Sequence, residues 1–139
     1  MLKGIPKVVS PMLLKILSEM GHGDEIVIAD GNFPAENYGK RVVRADGVGG
    51  VEMLKAVLSL IPLDTYAENN FMLMQTGEGE PKPNIWDDYF EIAKEDENLR
   101  GGCLERFAFY ERAKNAYAVI ATGEEAVYAN IIIKKGVIK

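Results

Sequence analysis

An α/β fold is expected of this chain: a single domain spanning 1–139, with a mainly parallel sheet, helices on both faces and an antiparallel strand at the C-terminal end. Three observations predict it. Short β-rich apolar runs alternate with segments whose apolar residues recur at helical spacing, the pattern of a sheet covered by helices. The last two apolar runs, "YAVIAT" and "VYANIIIKK", are separated by a turn at "GEEA" and suggest neighbouring strands joined by a hairpin. Finally, 139 residues with 47% hydrophobic and 27% charged side chains suffice for one buried core and lie far from the composition of disordered chains.

The elements follow in order. Ser10-Pro11 reads as an N-cap with proline at the first helical position, and Leu13, Leu14, Ile16 and Leu17 then mark the apolar face of a helix from about Pro11 to Met20. "EIVIAD", bounded by Gly23 and Gly31, is a buried strand whose far end carries Asp30. His22 therefore falls in the tight turn between helix and strand. "GNFPAENYGK" reads as loop and "RVVRAD" as strand, and "VGGVEMLKAVLSLIPLD" supplies a second amphipathic helix that must end before Pro62. "FMLMQT" is a third apolar run, followed by the breaker-rich loop "GEGEPKP". "NIWDDYFEIAKEDE" has the pattern of an acidic outer helix, and "LERFAFYERAKNA" is helical before the last two strands.

Charge and cysteine content narrow the function classes. Sixteen Lys+Arg against 21 Asp+Glu give a net charge of −5, so no basic field draws nucleic acid, and no nucleic-acid partner is expected. No apolar run approaches the roughly 20 residues that cross a bilayer, and Pro6 and Pro11 break the amino-terminal segment where a signal peptide needs continuity. A cytoplasmic protein without membrane association is the expectation. One cysteine, Cys103, and one histidine cannot build a disulfide or a soft-ligand metal cluster, so no metal is expected; Cys103 reads as buried filler.

Few residues remain that could carry chemistry. His22, the only histidine, can exchange protons near neutrality, and its flanking glycines leave room for a ligand, although a satisfied structural imidazole fits the same position. Asp30, at the carboxyl end of a strand, is where α/β sheets bind small molecules, and it could orient His22 or hold a hydroxyl; an Asx turn over "DGNFP" is its structural alternative. In "RFAFYERA", Arg106 and Tyr110 are four apart and share a helix face, as packing aromatics with salt bridges also would. Tyr128 and Asn130, two apart on the final strand, would project to one side and suit hydroxyl recognition or simple edge decoration. Met72 and Met74 in "FMLM" read as core. "GHG" and "GVGG" lack the context of phosphate-cradling loops, so nucleotide binding is weakly supported.

Taken in order, "SPMLLKILSEMGHGDEIVIAD", "VVRADG", "LDTY", "RFAFYERAKNAYAVIATGE" and "YANIIIKKG" resemble the fucose branch of the ribose pyranase and fucose mutarotase family over nearly the whole chain. The arginine-aromatic block distinguishes that branch from the ribose branch. The resemblance implies a cofactor-free isomerase that interconverts the α and β anomers of a pyranose, above all L-fucose. It makes His22 the catalytic histidine and Asp30 a sugar-binding aspartate. Arg106 and Tyr110 become sugar-site residues, with Tyr110 a further proton-transfer candidate, and Tyr128 and Asn130 hold sugar hydroxyls. Asp64 and Met74 are similar to pocket-lining positions, while Ala129 stands where many relatives have glycine. It also implies a homo-oligomer, relatives forming rings of ten, with sites near subunit contacts that neighbouring chains complete in the ribose branch. Ribose pyranase activity, a non-catalytic monosaccharide-binding module and a nucleotide-binding regulatory domain are the competing expectations.

Overall fold

Ser10 opens the first helix as its sequence dictates: its hydroxyl accepts from the Leu13 N–H at 3.1 Å, Pro11 follows, and α1 runs Pro11–Glu19. In the computed structural model, which describes residues 1–139, the chain continues through β1 (Glu25–Ala29), α2 (Ala35–Tyr38), β2 (Val42–Ala45), α3 (Gly50–Leu58) and β3 (Phe71–Met74). It ends with α4 (Ile85–Ala93), β4 (Gly101–Leu104), α5 (Arg106–Asn115), β5 (Ala118–Thr122) and β6 (Ile131–Lys134). No helix is long and apolar enough to cross a membrane.

The six strands form one sheet in the order β2-β5-β1-β6-β3-β4. Every neighbouring pair is parallel except those made by β6, which runs antiparallel to both β1 and β3. The mainly parallel sheet with one antiparallel strand is therefore as expected, but the hairpin is not. β1 lies between β5 and β6, and residues 123–130 cross its C-terminal end instead of turning back, with the Gly31 N–H donating to the Glu124 carbonyl at 2.8 Å. Burial explains the order. Ile26, Val27, Ile28 and Ala29 are fully enclosed, and so apolar a strand belongs in the middle of a sheet with a partner on each edge.

Strand alternation divides the core into two layers. Ile26 and Ile28 of β1, with Ile131 and Ile133 of β6, face the larger layer, where α1, α3 and α4 pack. Val27, Ala29 and Ile132 face a smaller one under α2 and α5. Each fully buried Leu or Ile contributes about 1.5–3 kcal/mol. Four further differences from the sequence reading are local. One turn of helix, α2, forms inside the segment read as loop. β4 was not expected, because "GGCL" at the sheet edge is half exposed and lacks an apolar face, and Cys103 is exposed there rather than buried. The acidic helix α4 is solvated on one side only, with Trp86, Tyr89 and Ala93 buried beneath it.

One ion pair sets the lie of α5. Near its C-terminal end, Arg112 donates from Nε and Nη2 to the Glu25 carboxylate at 3.0 and 2.6 Å, at the start of β1. The N-terminal end of α5, with Arg106, is thereby directed toward the opposite end of the strand.

Candidate active site

Because β6 runs against its neighbours, its start meets the C-terminal ends of β1 and β3. Ile131 pairs with Ile28 on one side and Leu73 on the other, so Asn130, one residue earlier, falls between Ala29 and Met74 and next to Asp30. The Asp30 N–H donates to Asn130 Oδ1 at 2.7 Å, and Asn130 Nδ2 lies 3.9 Å from the Met74 sulfur. The buried Asp30 carboxylate accepts from the Asn32 N–H at 3.0 Å and the Ala129 N–H at 3.3 Å. The Asx turn and the strand-end position foreseen for Asp30 thus coexist. Burial pushes its carboxyl above the usual carboxylate range, against these N–H donors that act to lower it.

Above this floor lies a cavity of about 760 Å³, a size typical of small-molecule sites. Asp30, Met74, Arg106, Tyr110, Tyr128 and Asn130, six of the eight residues singled out from sequence, all line it. Arg106 Nε donates to the Tyr110 hydroxyl at 3.0 Å, so the two do share a helix face. Tyr110 is held by aromatic neighbours: Tyr38 stacks on it with centroids 4.9 Å apart, and Phe33 meets it edge-on at 5.5 Å. Tyr128 and Asn130 are not on the strand as expected but precede β6, and Tyr128 has a φ of 53°. They reach the cavity by this irregular backbone and not by strand alternation. The Tyr128 hydroxyl sits over Gly77, where an added Cβ would come within 3.2 Å of it. The neighbouring Glu80 carboxylate, and then burial, push its phenol up.

Sequence reading missed the rest of the wall. Asn32 and Phe33 follow Asp30 directly and could have been inferred from it, whereas residues 80–84 belong to a loop whose approach to the cavity leaves no mark in the sequence.

The remaining two candidates lie elsewhere. His22, at the turn before β1, is separated from Asp30 by the full length of that strand, on the order of 20 Å at 3.3 Å per residue. Its partner is Asp64: Nε2 lies 2.8 Å from Oδ1, and the imidazole side chain remains 44% exposed, with Nδ1 making no hydrogen bond in the chain. Asp64 is therefore not a lining residue of the cavity but the buried acceptor that orients the histidine. Its carboxylate also accepts from the Tyr66 and Ala67 N–H groups at 3.3 and 3.0 Å. Burial acts to raise its pKa, but the hydrogen bonds from His22, Tyr66 and Ala67 outweigh it and hold the carboxyl below its usual range. The exposed Tyr66 ring leans on the imidazole at 5.1 Å. No group of three His, Cys, Asp or Glu side chains gathers at either place to hold a metal.

The pattern of the RbsD / FucU transport protein family matches residues 3–138. This chain belongs to that family. Among its relatives, the fucose mutarotase of Danio rerio is 52% identical over 99% of this chain and 94% of its own length. Two solved family structures superpose with a TM-score of 0.95 over 99% of this chain and 100% of theirs: FucU from Bifidobacterium longum, 58% identical, and the fucose mutarotase from Streptococcus pneumoniae in complex with L-fucose, 47% identical.

Proposed function

We propose that this protein is an L-fucose mutarotase, interconverting the α and β anomers of L-fucopyranose by general acid/base ring opening and closure. The observation that carries the reading is the near-complete superposition on a fucose mutarotase in complex with L-fucose, at 47% identity. The cavity suits such a ligand. Arg106 presents a fork of donors to sugar oxygens, Asp30 and Asn130 offer acceptors and an amide for hydroxyls, and Tyr110, Phe33 and Met74 supply apolar surface for C–H groups and the methyl of a 6-deoxy sugar.

Mutarotation needs a proton delivered to the ring oxygen as one leaves the anomeric hydroxyl. The C1–O5 bond breaks to give the open aldehyde, the aldehyde turns about C1–C2, and the hydroxyl closes on its other face as both proton transfers reverse. The cavity of one chain holds hydroxyl groups for this, Tyr110 and Tyr128, but no imidazole. His22 of a neighbouring copy completes it: Asp64 binds Nε2 and leaves Nδ1 pointing outward to give and take the proton, while Tyr110, Tyr128 or water serves the anomeric hydroxyl. On this reading the working unit is a homo-oligomer with the site at a subunit contact, consistent with the exposed Tyr66 and Phe107 near the two halves.

Saturation-transfer NMR on L-fucose, with D-ribose beside it, tests the proposal. Faster exchange between the fucose anomers in the presence of protein is expected. Exchange no faster than in buffer overturns the reading, and binding of L-fucose without faster exchange favours a sugar-binding module, the function that the cavity of a single chain would serve unaided. Faster turnover of ribose than fucose would make the pyranase activity the principal one.

A further inference from the structure

Tyr128 is the one residue other than glycine with a positive φ, 53°. A side chain rarely adopts this left-handed region unless its surroundings impose it, and such residues cluster at functional sites. The carbonyls of this residue and the next are both held from α4, a helix that touches the cavity with none of its own residues. Trp86 Nε1 donates to the Tyr128 carbonyl at 2.8 Å, and the Tyr89 hydroxyl donates to the next carbonyl, that of Ala129, at 3.0 Å. Three residues apart, the two side chains lie on one helix face, and their donors match two successive peptide groups. The Ala129 N–H is bound by Asp30, so the backbone just after Tyr128 is held at two successive carbonyls and at the N–H between them.

Buried Trp and Tyr commonly find some hydrogen-bond partner, and any carbonyl would serve that need. Here both choose carbonyls beside the single strained residue. The packing makes specific room for it as well. Tyr89 reaches Ala129 by passing over Gly50 of α3, where a Cβ would collide with the tyrosine hydroxyl. Tyr89 is fully buried and its bond to the Ala129 carbonyl is enclosed, which excludes water as a competitor there, and Trp86 is nearly buried.

We propose that Trp86 and Tyr89 are positioning residues of the sugar site: through the carbonyls of Tyr128 and Ala129 they hold residue 128 in its left-handed conformation, and so keep its ring in the cavity with Arg106. An extended backbone at 128 would point that ring elsewhere. The effect of the clamp on turnover rests on the mutarotase reading; its effect on the conformation of residue 128 does not.

The test uses Trp86→Phe and Tyr89→Phe, singly and together, each removing a donor while keeping a ring, and Gly50→Ala, which displaces the Tyr89 hydroxyl without touching it chemically. Two readouts are taken on full-length protein: the 13Cα and 13Cβ shifts of Tyr128, which report φ and ψ, and L-fucose anomer exchange. Expected are shifts moving from left-handed toward extended values and exchange falling about tenfold in the double variant. In a Tyr128→Ala background the same substitutions should cost no further exchange, since they act through that side chain. Tyr128 shifts that stay in place in all of these variants overturn the proposal, as do losses that simply add to that of Tyr128→Ala. Wild-type protein that does not speed anomer exchange would sink the mutarotase reading, and the shifts would still decide whether the clamp exists.

Discussion

The two ends of β1 differ in a way that neither explains alone. At its C-terminal end lies a walled cavity with carboxylate, amide, guanidinium and phenol groups but no imidazole. Before its N-terminal end an imidazole is oriented by a buried carboxylate, and close to half of it faces solvent. On the proposed function, recognition and proton transfer would be built on opposite ends of the same strand. Another copy would then bring its own His22 end to the cavity, and on this mutarotase reading the chain would have a reason to assemble.

The strongest way to break this comparison is to disable one end at a time. His22→Ala should slow anomer exchange by about 10²–10⁴-fold, the usual worth of a positioned acid/base group. Arg106→Ala should weaken L-fucose binding by about 10- to 100-fold, since it removes charged donors to sugar oxygens. Mixed by unfolding and refolding together, the two variants should regain exchange, because some sites then pair an intact cavity with an intact histidine. Exchange in the mixture that merely averages the two separate proteins would show that each chain works with its own His22, and the division of labour would fall.

Both ends were visible in the sequence, but their relation was not. The Ser10 cap, the β1 run and the helical spacing of Arg106 and Tyr110 are local signals, and each corresponds to structure at the expected place. His22 and Asp30 looked like partners because they are near in sequence, whereas an extended strand carries residues apart faster than any other element. Asp64, 42 positions from His22, is the real partner, and only tertiary packing brings it there. The slot of β6 between β1 and β3 is likewise a long-range choice, which is why a hairpin with β5 was the natural inference. The left-handed Tyr128 gives no sign at all, since tyrosine carries no preference for that conformation.

A finer probe keeps His22 and alters only its support. Asp64→Asn leaves a side chain of the same shape but removes the negative charge that favours an N–H at Nε2 and frees Nδ1. Exchange should fall about tenfold or more, with L-fucose affinity unchanged, because the cavity is untouched. An equal loss of affinity would mean that Asp64 contacts sugar directly, as its resemblance to pocket-lining positions implied.

The smallest effect is decided by sign. Asp30 and Asp64 are both buried, yet their carboxyls shift in opposite directions: burial prevails over the N–H donors at Asp30, and the hydrogen bonds prevail at Asp64. For Asp64, the folded state is the stronger acid. Its contribution to stability is present above the unfolded carboxyl pKa of about 4 and is lost as pH falls through the lower folded value. For Asp30 the folded state is the weaker acid, so its contribution is present below about pH 4 and is lost as pH rises through the folded value. Melting temperatures of wild type, Asp30→Asn and Asp64→Asn, compared between pH 3 and 7, should therefore diverge in opposite senses. Relative to wild type, Asp64→Asn should grow less stable toward neutral pH, and Asp30→Asn should recover. Parallel curves would mean that the two carboxylates share one electrostatic environment, and the contrast between the ends of β1 would lose its physical basis.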